Sequence, residues 1–82
     1  MNYTLQEIIE ALQLPLKSEI PINFEHEIKQ VLEYSSEEFM SGKELAISFV
    51  ETWINKNCLK DYDKEMVEDY IGAWYEDYIG NS

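Results

Sequence analysis

The chain has 82 residues, enough for one domain with one modest core and too few to enclose a deep catalytic pocket. Hydrophobic residues make up 45% and aromatics 13%, a globular composition that excludes a disordered acidic tail. Seventeen acids stand against six lysines and no arginine, for a net charge of −11; such a surface repels nucleic acid and anionic membrane and speeds encounter with a basic protein.

Thr4 and Glu7 have the spacing of a capping box, and Leu5, Ile8, Ile9 and Leu12 mark one face of a helix over residues 5–14 that Pro15 stops. The stretch PLKSEIPIN, Pro15 to Asn23, holds both prolines and has no helical period. It reads as an extended connector, pinned to the core by Leu16, Ile20 and Ile22. Asn23 is placed to cap a second helix with Phe24, Ile28, Val31 and Leu32 on one face, interrupted by Ser35 and Ser36. Ser35 with Glu38 forms another box, opening a short turn through Phe39 that Gly42 ends. Ser41 with Glu44 repeats the spacing, and Leu45, Ala46, Phe49, Val50 and Trp53 trace a third helix to about Asn57.

Asp61 or Asp63 caps the fourth helix, which ends at Gly80, where a left-handed residue is commonly needed. Within it the pentapeptide EDYIG occurs twice, eight positions apart. At about 100° per residue the copies lie about 80° apart around the axis, so the repeat does not track one face. Glu65, Glu68, Asp69, Glu76 and Asp77 fall on one half of the circumference, and Val67, Tyr70, Ile71, Trp74 and Tyr78 on the other. Gly72 faces the acidic side, where a close approach, a kink or packing against another helix would explain an interior helix glycine. Strand signals are nearly absent. The expected fold is all-α, a compact irregular bundle of about four amphipathic helices forming a single acidic domain over residues 1–82.

No catalytic, cofactor or metal site is expected. Asp61, Asp63 and Glu65 alternate like the opening of a calcium loop, but Met66 and Gly72 stand where that loop needs glycine and glutamate. His26 is a lone histidine between Glu25 and Glu27, and Cys58 is a lone cysteine, so neither disulfide nor zinc pairing follows. There is no glycine-rich phosphate loop or nucleophile elbow. The absence of a secretory signal and of long apolar runs gives the expectation of a cytoplasmic protein.

The feature above background is the mingling of acids and aromatics in the last third. Tyr70, Trp74 and Tyr78 are assigned to the core, with the acids as their solvated backs, whereas Tyr75 projects near the border of the acidic face and is assigned to a contact surface. The expected partner-binding residues are Asp61, Asp63, Glu65, Glu68, Asp69, Tyr75, Glu76 and Asp77. Glu37, Glu38, Glu44 and Glu51 form an alternative acidic set. The stretch EEFMSGKELAISFVETWINK, Glu37 to Lys56, with Phe39, Ser41-Gly42, Ala46, Phe49 and Trp53 in sequence, resembles the opening helix-turn-helix of immunity proteins of the colicin D type. That resemblance implies a small acidic helical protein that binds a nuclease toxin and covers the basic cleft meant for tRNA. The charge permits the same function, with two others open: a phage-encoded inhibitor of a host nucleic-acid enzyme, such as an anti-CRISPR or DNA mimic, and a small acidic adaptor subunit held by its aromatics.

Overall fold

In a computed structural model, which describes residues 3–34 and 41–80, the chain forms four helices in the order α1 Leu5–Ala11, α2 Phe24–Tyr34, α3 Gly42–Asn57 and α4 Lys64–Gly80. At the start of α1 the Thr4 side chain accepts from the Glu7 backbone N–H at 3.2 Å, and the Glu7 carboxylate accepts in return from the Thr4 N–H at 3.4 Å. The helix ends at Ala11, earlier than the expected residue 14. Gln13 turns into the left-handed region at φ 52°, and Pro15 holds its predecessor away from helical geometry.

The connector is tied to the far end of α3 rather than merely resting on the core. Leu16 pairs with Cys58 in an isolated antiparallel bridge, with the Lys17 N–H donating to the Asn57 carbonyl and the Leu59 N–H to the Pro15 carbonyl, both at 2.8 Å. The Ser18 hydroxyl donates to the Asn57 side chain at 2.7 Å. Leu16 and Ile20 pack against the core as expected, but Ile22 is 97% exposed. An extended strand would put Ile20 and Ile22 on one face. The turn from Pro21 to Phe24, closed by the Phe24 N–H on the Pro21 carbonyl, throws Ile22 outward instead.

Asn23 precedes α2, but its side chain donates to the Glu27 carboxylate at 3.2 Å rather than accepting from the backbone. The expected turn through Ser35, Glu38 and Phe39 lies outside the described residues. Gly42, expected to end that turn, is the first residue of α3, behind a Ser41 cap whose hydroxyl accepts from the Glu44 N–H at 3.2 Å. Asp63, not Asp61, caps α4: one carboxylate oxygen accepts from the Glu65 and Met66 N–H groups at 3.0 and 3.3 Å. Gly80 remains helical, and no glycine among the described residues has a positive φ, so the expected left-handed cap is absent there.

The core is built where these elements meet. Ala46, Val50 and Ile54 of α3, one turn apart, are fully buried together with Val67 and Ile71 of α4. Leu5 and Ile9 of α1 and Phe24 and Ile28 of α2 close it, each such aliphatic or aromatic side chain contributing about 1.5–3 kcal/mol. Phe24 sits 5.5 Å from the Phe49 ring and 5.2 Å from the Trp53 ring. No polar or charged residue among those described is buried.

Two glycines lie where α3 and α4 approach, with different neighbours. A Cβ on Gly42 would collide with the Tyr75 hydroxyl and lie 2.9 Å from its Cζ. A Cβ on Gly72 would lie 2.7 Å from the Cε of Lys43. Opposite outcomes are expected from the same substitution. Gly42→Ala must displace a ring packed against the core and should destabilise the fold by about 1–3 kcal/mol, with partial recovery in the Gly42→Ala, Tyr75→Phe double variant. Gly72→Ala displaces only the end of a flexible lysine and gains helix propensity, so its effect should lie between neutral and about 1 kcal/mol stabilising. Urea unfolding of the three variants measures both signs.

Candidate interaction surface

α4 stands between two depressions, and its acids divide between them. On the α3 side Glu68, Asp69, Gly72, Ala73 and Glu76 share a groove with Lys43 and Ile47. The Lys43 ammonium lies 3.4 Å from the Glu76 carboxylate, an exposed pair that offsets one of these charges. On the α1 side Asp69, Tyr70, Ala73, Trp74 and Asp77 face Tyr3, Glu7, Ile8, Glu10 and Ala11 across a groove of about 810 Å³. No lysine among the described residues lines this second groove.

The remaining predicted positions have separate fates. Glu65 is exposed on the first turn of α4, beside the Asp63 carboxylate that caps it. Asp61 lines a third, polar depression with Asn55, Cys58, Tyr62, Lys60 and Lys64, where two cations stand against it. Asp61, Asp63 and Glu65 thus occupy three different settings. Tyr75 is half-buried, packed against the core with its hydroxyl over Gly42. Tyr70, assigned to the core, is 38% exposed and forms part of the α1–α4 groove.

Glu7 and Glu10 were not among the expected binding residues. They stand three apart on the solvent side of α1, and only the packing of α1 against α4 brings them opposite Asp69 and Asp77. Their spacing in the sequence is ordinary for a solvated helix face, so no local signal distinguishes them. The orientation of α1 is fixed at its start: the Glu25 carboxylate of α2 accepts from the Leu5 N–H at 2.7 Å while its other oxygen lies 2.9 Å from the Lys29 ammonium. Lys29 in turn stands 5.2 Å over the Tyr78 ring, which stacks on Trp74 at 5.5 Å with a 5° interplanar angle.

Comparison with known protein families, with curated proteins and with solved structures finds no match. Of the positions that carry the resemblance to colicin D-type immunity proteins, Phe39 lies outside the described residues. Ser41 caps α3, Gly42 and Ala46 are buried, and Phe49 and Trp53 pack on Phe24. Those positions serve the fold and leave the acidic surface to be judged separately. Among the described residues no three histidine, cysteine or acidic side chains come together as a metal site, and no helix is long and apolar enough to cross a membrane.

One titratable group near this surface is perturbed. The Tyr62 phenol is pushed above its ordinary value of 10.0 by burial first, then by the charges of Glu51 and Cys58, while its hydrogen bond to Asn55 at 2.8 Å pulls the other way. The folded state thus holds this proton more tightly than the unfolded chain does. That contribution to stability is complete below pH 10.0 and is lost as pH rises through the folded-state pKa. Tyr62→Phe should therefore show a shallower alkaline decline in melting temperature than the parent chain; parallel declines would mean that Tyr62 ionises as freely in the fold as outside it.

Proposed function

We propose that this chain is a non-enzymatic acidic binding protein that inhibits a nucleic-acid-processing enzyme by occupying its basic substrate cleft, in the manner of an immunity protein for a tRNase-like nuclease toxin. The supporting observation is the charge density of α4. Glu65, Glu68, Asp69, Glu76 and Asp77 are all exposed along twelve residue steps. At 1.5 Å per residue this is about 18 Å, a mean axial spacing of about 4.5 Å between charges. A single nucleic-acid strand presents about one phosphate per 3.4 Å. A cleft shaped for a polyanion would meet a comparable field on a rigid helix, and the lack of arginine leaves the surface without the usual reader of phosphates or carboxylates. The resemblance at residues 37–56 points the same way.

On this reading charge steers association. Inhibition of a basic tRNase toxin should weaken steeply as salt rises, with the loss carried mainly by the association rate. An association rate indifferent to salt would favour the adaptor reading, and inhibition of a phage-targeted host nuclease without effect on the toxin would favour the phage inhibitor.

The four-amide variant Glu68→Gln, Asp69→Asn, Glu76→Gln, Asp77→Asn supplies a second test. The buried residues Val67, Ile71 and Trp74 are untouched, so the fold should survive and gain from relief of like-charge crowding, less the small contribution of the Lys43–Glu76 pair. Affinity should fall by about 1.5–3 kcal/mol for each charge-assisted contact the complex makes. Calorimetry paired with thermal melting reads both quantities, and undiminished affinity in a folded variant would move the binding face to the Glu44 and Glu51 side of α3.

A further inference from the structure

Unlike the α3–α4 groove and the depression around Asp61, both of which include lysine, the α1–α4 groove combines an apolar floor with an acidic rim lined by no described lysine. Ile8 and Ala11 of α1 and Tyr70, Ala73 and Trp74 of α4 supply the apolar part; Glu7 and Glu10 lie along one wall, Asp69 and Asp77 along the other. The walls are helices, whose backbone groups are already paired within themselves. An extended segment laid between them would bury its own N–H and C=O groups without partners, whereas a helix satisfies its own. Two exposed alanines, Ala11 and Ala73, leave room for close approach, as helix packing at about 8–10 Å between axes requires. The lined span from Asp69 to Asp77 rises about 12 Å, which suits an occupant of two to three turns.

The rim selects the occupant's charge. Four carboxylates border the groove and no described lysine does, so an acidic or neutral helix gains nothing from the rim, and Lys or Arg beside the apolar anchors is complementary to it. A second copy of this chain does not fit that requirement: its net charge is −11, and no described helix carries more than two lysines. We propose that this groove seats a basic amphipathic helix of the partner protein, its apolar side chains on Ile8, Tyr70 and Ala73 and its cations on Glu7, Glu10, Asp69 and Asp77. The proposal rests on the reading of the chain as a binder of basic proteins, and adds to it a defined site and a defined shape of ligand.

The test uses the full chain with three synthetic peptides of about fourteen residues: a leucine–lysine sequence patterned for an amphipathic helix, its scrambled isomer, and a leucine–glutamate counterpart. The patterned basic peptide should bind at least tenfold tighter than the scramble by calorimetry at low salt. Amide shifts on binding should be confined to residues 5–11 and 69–78. Ala73→Leu, which fills the groove from an exposed position, should weaken binding at least tenfold with the melting temperature unchanged. Asp69→Asn with Asp77→Asn should weaken it without filling anything, which keeps the test valid even if Ala73→Leu disturbs the fold. Equal binding of patterned and scrambled peptides overturns the groove as a site and leaves the acidic-binder reading standing; failure of both basic peptides to bind overturns both. Equal binding of the leucine–glutamate peptide overturns selection by the rim. A dimer in sedimentation equilibrium that Ala73→Leu dissolves overturns the proposal in favour of a second copy as occupant.

Discussion

Where α3 and α4 cross, each offers the other a glycine. Gly42 at the start of α3 receives the Tyr75 ring from α4, and Gly72 in the middle of α4 receives the Lys43 stem from α3. The two contacts are reciprocal, and the Gly42–Tyr75 one, made by a ring packed on the core, holds the register, whereas the Lys43 end can move. In that register Ala46, Val50 and Ile54 meet Val67 and Ile71, and a core small enough for this chain becomes continuous. The shelf on which α1 and α2 lie, and hence both depressions beside α4, follows from that crossing.

The abundance of acid would weaken so small a fold if the charges were placed indifferently, because self-repulsion opposes compaction. Several are instead joined to the ends of helices. Glu7 closes the box at the start of α1, Glu25 accepts from the first N–H of the same helix, and Asp63 accepts two N–H groups of α4. Negative charge at these positions meets the positive end of the helix dipole. Such carboxylates serve the architecture, Glu7 while also bordering the α1–α4 groove; those of Glu68, Asp69 and Glu76 lie beyond the first turn of α4, and Glu76 pairs with Lys43 at 3.4 Å.

The four helices were legible because their signals are local: Thr4 with Glu7, Ser41 with Glu44 and the 3.6-residue apolar periods act within a turn or two. What escaped depends on long-range packing. The end of α1 moved because Gln13 adopts a left-handed conformation for which glycine or asparagine is the usual sign. Ile22 left the core because a turn broke the alternation of an otherwise extended segment. Angular position on α4 assigned Tyr75 to a contact surface at the acidic border; the structure has it half-buried against the core, and a helical wheel cannot show that α3 presents Gly42 to it. At Gly72 the neighbour is the end of the Lys43 side chain rather than the backbone of another helix. The acids of α1 are illegible for the same reason: their relation to Asp69 and Asp77 exists only across an interhelical groove.

These placements make α4 a ridge rather than a face. Asp69 borders both depressions, Asp77 turns to α1, and Glu68 and Glu76 turn to α3, where Lys43 already supplies a positive charge. A partner that recognised charge alone would have no reason to prefer one flank beyond that lysine. Apolar surface breaks the near-symmetry, since Tyr70 and Trp74 lie on the α1 flank, away from the lysine. On the proposed reading the long-range field of the ridge brings a basic cleft to α4, and the short-range fit of a helix against the exposed Tyr70 ring and its apolar neighbours decides on which side of the ridge it settles. Attraction and specificity then reside in different atoms of one helix, so that amide substitutions should act chiefly on the rate of encounter and filling of the groove chiefly on the lifetime of the complex.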